Sequence, residues 1–145
     1  MKPLRRILAC LATALALAGC GAPSGVTPDA AGAGPDEPAP ARIVTLAPNL
    51  TELAFALGLG PRVVGVSDYV TWPPEALERP SLGGLFDPNL EAVIGLEPDL
   101  AIVLPSQAEV ADKLERAGIA TLPVGIESLE DVERAAVSIA ERCGV

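Results

Sequence analysis

Arg42-Ile43-Val44-Thr45-Leu46-Ala47-Pro48-Asn49-Leu50-Thr51-Glu52-Leu53-Ala54-Phe55-Ala56-Leu57-Gly58 changes its hydrophobic period halfway along. The first five residues are β-rich and read as a strand. Past Pro48, Leu50, Leu53, Ala54 and Leu57 recur three or four apart, the spacing of one helix face. Asn49 with Glu52 three residues on predicts a variant capping box, and Gly58 is a natural stop. One strand passing directly into one helix is the repeating unit of an α/β domain.

The unit recurs toward the C-terminus. Val63-Val64-Gly65-Val66 reads as a second strand. Asp87-Pro88 predicts a helix start, with Asp87 as cap, Pro88 in the first turn, and Leu90, Val93 and Ile94 as the apolar face. Leu100-Ala101-Ile102-Val103-Leu104 has no polar alternation, as expected of a strand covered on both faces. Ser106 with Glu109 predicts a capping box for a helix carrying Val110, Leu114 and Ala117, closed by Gly118. Residues 121–124 form the fourth strand, and Ser128 with Asp131 opens a last helix with Leu129, Val132, Ala136 and Ile139 inward. Strands alternating with helices over short loops predict a four-stranded, parallel, doubly wound (Rossmann-like) sheet flanked by helices.

The other direction sets the compartment. Lys2, Arg5 and Arg6 precede a charge-free apolar run over residues 7–17, too short to span a bilayer and suited to a secretory leader over residues 1–19. It ends in Leu17-Ala18-Gly19-Cys20, which resembles the bacterial lipobox and predicts diacylation of Cys20. The acyl chains would hold the protein on a membrane surface, at about 0.8 kcal/mol per buried CH₂. Residues 20–41 are rich in Pro, Gly and Ala without an aromatic, the composition of a disordered tether. With Cys10 in the leader and Cys20 lipidated, Cys143 has no cysteine left to pair with and is expected as a small buried hydrophobe.

Residues 42–145 suffice for one domain with a core of its own. Once the three leader cations are gone, nineteen acidic residues face seven basic ones, the ten of the whole chain less those three. That balance argues against a nucleic-acid partner and against a polybasic grip on a membrane. The chain contains no histidine, which excludes Ser-His and Cys-His triads and imidazole metal ligation. No resident cofactor and no catalytic residue are expected.

In open parallel sheets ligands bind beyond the carboxyl ends of the strands. Four loops leave those ends: Ala47-Pro48-Asn49, residues 67–72, Pro105-Ser106, and residues 125–128. The second carries the only tyrosine and the only tryptophan of the chain, Tyr69 and Trp72, beside Asp68. An aromatic pair at the mouth of a sheet suits a flat, partly apolar ligand. Position alone leaves a second role open, in which both rings plug the core under the Pro73-Pro74 loop.

The segments over residues 42–58 and 63–69, then Gly83-Gly84, Pro88-Asn89-Leu90-Glu91 and Leu96-Glu97-Pro98-Asp99-Leu100, taken in order, resemble the periplasmic iron-siderophore and vitamin B12 binding proteins of ABC importers. The resemblance covers nearly all of residues 42–145. It implies one lobe of a protein with two α/β lobes joined by a long rigid helix, the ligand clamped between them and only slight hinge motion. It places Tyr69 as a residue that stacks on the ligand; Trp72 on the same loop and Asn49 on the loop after the first strand are the further candidate ligand-binding residues. The position six before the Asn-Leu-Glu glutamate, a tryptophan in the B12-binding branch, is Leu85 here, with Phe86 beside it. Glu91 matches the carboxylate that pairs with permease arginines. The chain ends about where the connecting helix should begin, so the second lobe is expected to be missing and affinity reduced. Corrinoids, ferric siderophores and haem are all ligands this resemblance allows.

Other classes fit the residues less well. An enzyme would have to draw on Ser67, Asp68 and Tyr69 with a carboxylate or lysine base. A dinucleotide site would need glycines in Ala47-Pro48-Asn49-Leu50, which has none. A scaffold or adhesion module on the same lobe remains a third possibility.

Overall fold

The computed structural model describes residues 38–145. The leader, Cys20 and most of the 20–41 tether lie outside the described residues. Four short strands form the sheet: β1 (Ile43–Thr45), β2 (Val63–Val66), β3 (Leu100–Val103) and β4 (Ala120–Pro123). They are hydrogen-bonded in the order β2-β1-β3-β4, and every pairing is parallel. Four helices alternate with them: α1 (Pro48–Ala56), α2 (Leu90–Gly95), α3 (Ala108–Arg116) and α4 (Leu129–Cys143). The expected doubly wound sheet is therefore present. No helix among the described residues is long and apolar enough to cross a membrane.

Strand pleating explains the two-sided core. Successive side chains point to opposite faces. Ile43, Leu100, Ile102 and Leu122 pack with Leu50 and Ala54 of α1 and Ala135, Ile139 and Cys143 of α4. Val44, Ala101 and Val103 pack on the other face with Val93 of α2 and Leu114 of α3. β3 is buried on both faces along its whole length, as its unbroken apolar run requires. A polar pair within the core is satisfied internally: the buried Thr45 and Thr51 hydroxyls share a hydrogen bond of 2.7 Å, and Thr51 Oγ1 also donates to the Ala47 carbonyl.

Polar contacts fix where the sheet starts. Asp99 Oδ2 accepts from the backbone N–H groups of Ala41 and Arg42, each at 2.8 Å. The Arg42 guanidinium donates back to the carbonyls of Leu96 and Glu97. The Leu96–Asp99 stretch thus acts as a clasp between β1 and β3, a structural use of residues that the resemblance singled out. Arg62 Nη1 donates to the Cys143 carbonyl at 2.6 Å and closes the far end of α4, where Gly144 takes the left-handed conformation (φ 68°). Cys143 is fully buried, as expected, and burial pushes its thiol pKa up despite the nearby Arg62 and Arg142 cations.

Several helix ends differ from the sequence expectation. α1 begins at Pro48 with Ala47 as its cap; Asn49 makes no capping box with Glu52, and its Oδ1 accepts only from the next backbone N–H, that of Leu50. α2 is capped by Asn89, whose side chain accepts from Ala92 N, and not by Asp87. The reason is a turn: Gly83 and Pro88 form an antiparallel bridge, and Asn89 N donates to the Leu82 carbonyl at 2.7 Å, so residues 83–89 are committed before the helix can start. Ser106 does not cap α3; Pro105–Gln107 is a 3₁₀ turn, and Gln107 Oε1 accepts from Leu104 N instead. Ser128 and Asp131 do form the expected reciprocal capping box on α4. Of the four residues expected inward on α4, Ile139 is buried and Ala136 half-buried, whereas Leu129 and Val132 are exposed.

The two edge strands end differently. β2 is followed by a return of the chain, in which Val66 N donates to the Pro80 carbonyl and Leu82 N to the Val66 carbonyl. On the opposite side, β4 closes with Pro123.

Candidate functional site

The carboxyl ends of the strands are organised by a residue that the sequence pattern did not mark. Gln107, 4% exposed, sends its Nε2 to two carbonyls, Leu46 after β1 at 3.0 Å and Leu85 at 2.8 Å. Its Oε1 takes the N–H of Leu104 at the end of β3. One amide therefore ties the loops after β1 and β3 to the segment between β2 and β3. The only available signal was its place two residues after Pro105 behind a buried strand, too common a pattern to single it out.

Tyr69 stands three residues beyond β2. Its ring is 85% exposed and its backbone is left-handed, with φ 65°. A bulky residue in that region carries strain of about 1–3 kcal/mol, which persists only where the surroundings over-determine it. They do so here: Ser67 is buried, Asp68 N donates to the Gly83 carbonyl at 2.8 Å, and Ser81 Oγ donates to Asp68 Oδ1. Gly83 itself has φ 92°, and a Cβ there would lie 2.9 Å from the Asn89 N and Asp87 O backbone atoms. The loop before α2 thus braces the loop after β2. Of the two roles left open for the aromatic pair, core plug is excluded by the exposure of both rings, since Trp72 is also 61% exposed.

Three clefts meet around this edge. One of about 400 Å³ lies beneath Tyr69 and is lined by Ser67, Asp68, Arg79 and Ser81, among others. A second, about 390 Å³, brings Trp72 against Asn49, Glu52 and Ala56 of α1, with Ile126 and Val132 on its far wall. The largest, about 600 Å³, runs from Trp72 along the flank of α1 past Phe55 to Glu75 and Arg79. Trp72 and Asn49 are therefore brought together, with Tyr69 in the adjoining cleft.

The other expected residues are placed differently. Leu85 is half-buried against the core, and its contribution to the edge is its carbonyl, held by Gln107. Phe86 is 87% exposed and lines none of the three clefts. Glu91 is exposed in the first turn of α2, where a carboxylate also favours the positive end of the helix.

Comparison with known proteins agrees with this geometry. The sequence profile of the family described as periplasmic binding proteins matches residues 43–145. The vitamin B12-binding protein of Vibrio cholerae is 38% identical over 100 residues, which cover 66% of this chain and 36% of the relative. An uncharacterized ABC transporter substrate-binding lipoprotein of Bacillus subtilis is 36% identical over 110 residues, covering 72% of this chain and 35% of the relative. A crystal structure of a periplasmic heme binding protein from Pseudomonas aeruginosa superposes with a TM-score of 0.68 at 28% identity, over 73% of this chain and 39% of that one. The chain spans about a third of the length of the curated relatives it matches. With the profile running through every strand and helix of the lobe, the chain belongs to the periplasmic binding protein family.

Proposed function

We propose that this chain is a lipid-anchored, extracytoplasmic solute-binding lobe that captures a corrinoid or an iron chelate (ferric siderophore or haem) and presents it to the permease of an ABC importer. The observation that carries this reading is Tyr69: an exposed aromatic face, held in a strained left-handed conformation at the carboxyl edge of a parallel sheet. Strained backbone clusters at ligand-contacting positions, which favours a ligand-facing role for this tyrosine. Trp72 and Asn49 line the adjoining cleft.

Binding without turnover is the matching chemistry. Ser67 Oγ is buried, and the carboxylate beside it, Asp68, is engaged by Ser81. Neither is arranged as a nucleophile with its base. The relatives are named as binding proteins, and one of them as a lipoprotein, which supports lipidation of Cys20 in the Leu17-Ala18-Gly19-Cys20 motif. Glu91 projects from α2 into solvent and serves as the permease contact, where complementary charge sets register and orientation. The matched segment covers only about a third of these relatives, so a second lobe facing Tyr69 would supply the other wall of the pocket.

Isothermal titration of the chain with cyanocobalamin, haemin and a ferric catecholate tests the reading. Saturable binding of one of them, weakened at least tenfold by Tyr69→Ala, is the expected result. No binding of any, or binding indifferent to Tyr69→Ala, would overturn capture at this edge. Nanomolar affinity from this one lobe would overturn the need for a second wall.

A further inference from the structure

Cargo capture draws on Trp72 but not on the groove of about 600 Å³ that leaves the strand edge at this residue and follows the flank of α1. Its walls are mostly apolar: the Trp72 indole, 61% exposed, the half-buried Phe55 ring, and the prolines Pro61 and Pro73. Phe55 is firmly seated. It packs on the core, and a Cβ at Gly60 would lie 2.8 Å from its ring carbons, so the bare backbone of Gly60 is what admits the ring. Charge on the lining is uneven. Glu52 on α1 and Glu75 in the 3₁₀ turn over Pro74–Glu78 are both exposed there. Arg79, also on the lining, is half-buried and donates through Nη2 to the Gly60 carbonyl at 3.2 Å. Two carboxylates against one engaged guanidinium leave the groove net negative.

That lining tells ligand classes apart. An anion is repelled by Glu52 and Glu75 and finds Arg79 already holding Gly60. A primary ammonium meets the carboxylates, but its three N–H donors are tightly hydrated, and rings and prolines cannot replace that water. A neutral apolar group gains burial on the rings and nothing from the carboxylates. A quaternary ammonium has no N–H to satisfy, buries its methyl groups on the apolar walls, and is attracted both by aromatic faces and by carboxylates. We infer that the groove between α1 and the Trp72–Arg79 segment is a binding site for a quaternary ammonium group, with Trp72 and Phe55 taking its methyl groups and Glu52 and Glu75 balancing its charge. Tyr69 does not line this groove, so the site is additional to cargo capture and does not depend on it. Free choline-like solutes and the headgroup of a choline phospholipid offer the same chemistry, and the test separates them.

Trp72 is the only tryptophan of the chain, so its fluorescence reports a ligand bound beside it. The full chain, kept in a maltoside detergent, is titrated with choline chloride and with 3,3-dimethylbutan-1-ol, which has the same shape without the charge. Sodium chloride holds the ionic strength constant. Choline is expected to change the emission saturably at millimolar concentrations, and the alcohol to bind about three- to tenfold more weakly. Glu52→Gln and Glu75→Gln, both at exposed positions and expected to fold, should each weaken choline about two- to fivefold and leave the alcohol unchanged. Glu75 lines this groove and not the cleft between Trp72 and Asn49, so its effect locates the site. No saturable change, equal affinity for choline and the alcohol, or choline binding indifferent to Glu75→Gln overturns the inference. Tyr69→Ala should leave choline binding as it is; its loss in that variant would move the cation into the cargo cleft and overturn the groove as a site of its own. Glycerophosphocholine identifies the source. Binding at least as tight as choline's supports the site with a lipid headgroup as ligand, and weaker binding supports it with a free solute.

Discussion

Gln107 Nε2 reaches the carbonyl of Leu46 at 3.0 Å across 61 residues of chain, and through the same amide nitrogen holds the carbonyl of Leu85. Removing it leaves two carbonyls and the Leu104 N–H without a partner at a buried edge. Gln107→Ala is expected to destabilise the lobe by about 2–4 kcal/mol, since each orphaned buried group costs about 1–3 kcal/mol and some are re-solvated. Gln107→Glu should fare little better, because the carboxylate keeps an acceptor and loses both donors. Thermal unfolding monitored by circular dichroism checks both variants.

Tyr69 sets binding against stability. Its left-handed backbone favours glycine, which removes strain of about 1–2 kcal/mol while adding about 0.5–1 kcal/mol of chain entropy to the unfolded state. Tyr69→Gly should therefore unfold at a urea midpoint equal to or above that of the parent, yet lose ligand binding. Tyr69→Phe should keep both. A Tyr69→Gly variant that is clearly less stable than the parent would show that the ring supports the fold.

Acid sensitivity is expected at the start of α4. The Ser128 hydroxyl and the Glu127 backbone N–H hold the Asp131 carboxyl below its ordinary value of 3.8, with Arg134 adding to the effect. A lowered folded-state pKa makes the contribution fully present above the ordinary carboxylate value. It is lost as pH falls through the folded-state value. Asp131→Asn should thus be less stable than the parent at pH 7, and the gap should narrow on acidification below about pH 4. Urea denaturation at pH 7, 5 and 3 reads this directly.

Glu91 should be separable from folding. It is exposed on α2, and its loss removes only the favourable interaction with the helix N-terminus, about 0.3–1 kcal/mol. Glu91→Arg is therefore expected to leave ligand binding unchanged. It should abolish binding to permease-containing proteoliposomes, measured by co-sedimentation. Unchanged co-sedimentation would remove Glu91 from the docking surface.

The four strands, the helices between them and the doubly wound class were legible because they depend on local signals: β-rich runs for β1, β2 and β3, three-four spacing for α1, and the Ser128–Asp131 box. The place of Tyr69 was legible because parallel topology puts the loop after β2 at the carboxyl edge of the sheet. What was not legible depends on pairs far apart in sequence. Asp87 loses the helix cap to Asn89 because a Gly83–Pro88 bridge fixes the chain first, and no local pattern announces a bridge. Gln107 replaces Ser106 because its partners lie 61 and 22 residues away. Val132 follows the apolar period of α4, but it lines an open cleft between α4, Trp72 and α1, so it stays exposed.

The two ends of the strand order also decide how the lobe behaves among its neighbours. An open sheet presents a row of unpaired donors and acceptors that invites another chain to add a strand. Beside β2, the N–H and carbonyl of Val66 are already taken up by the chain's own return at Pro80 and Leu82. Beside β4, Pro123 has no N–H to offer. With each border blunted at its carboxyl end, copies of the lobe have less free edge through which to zip together into fibrils.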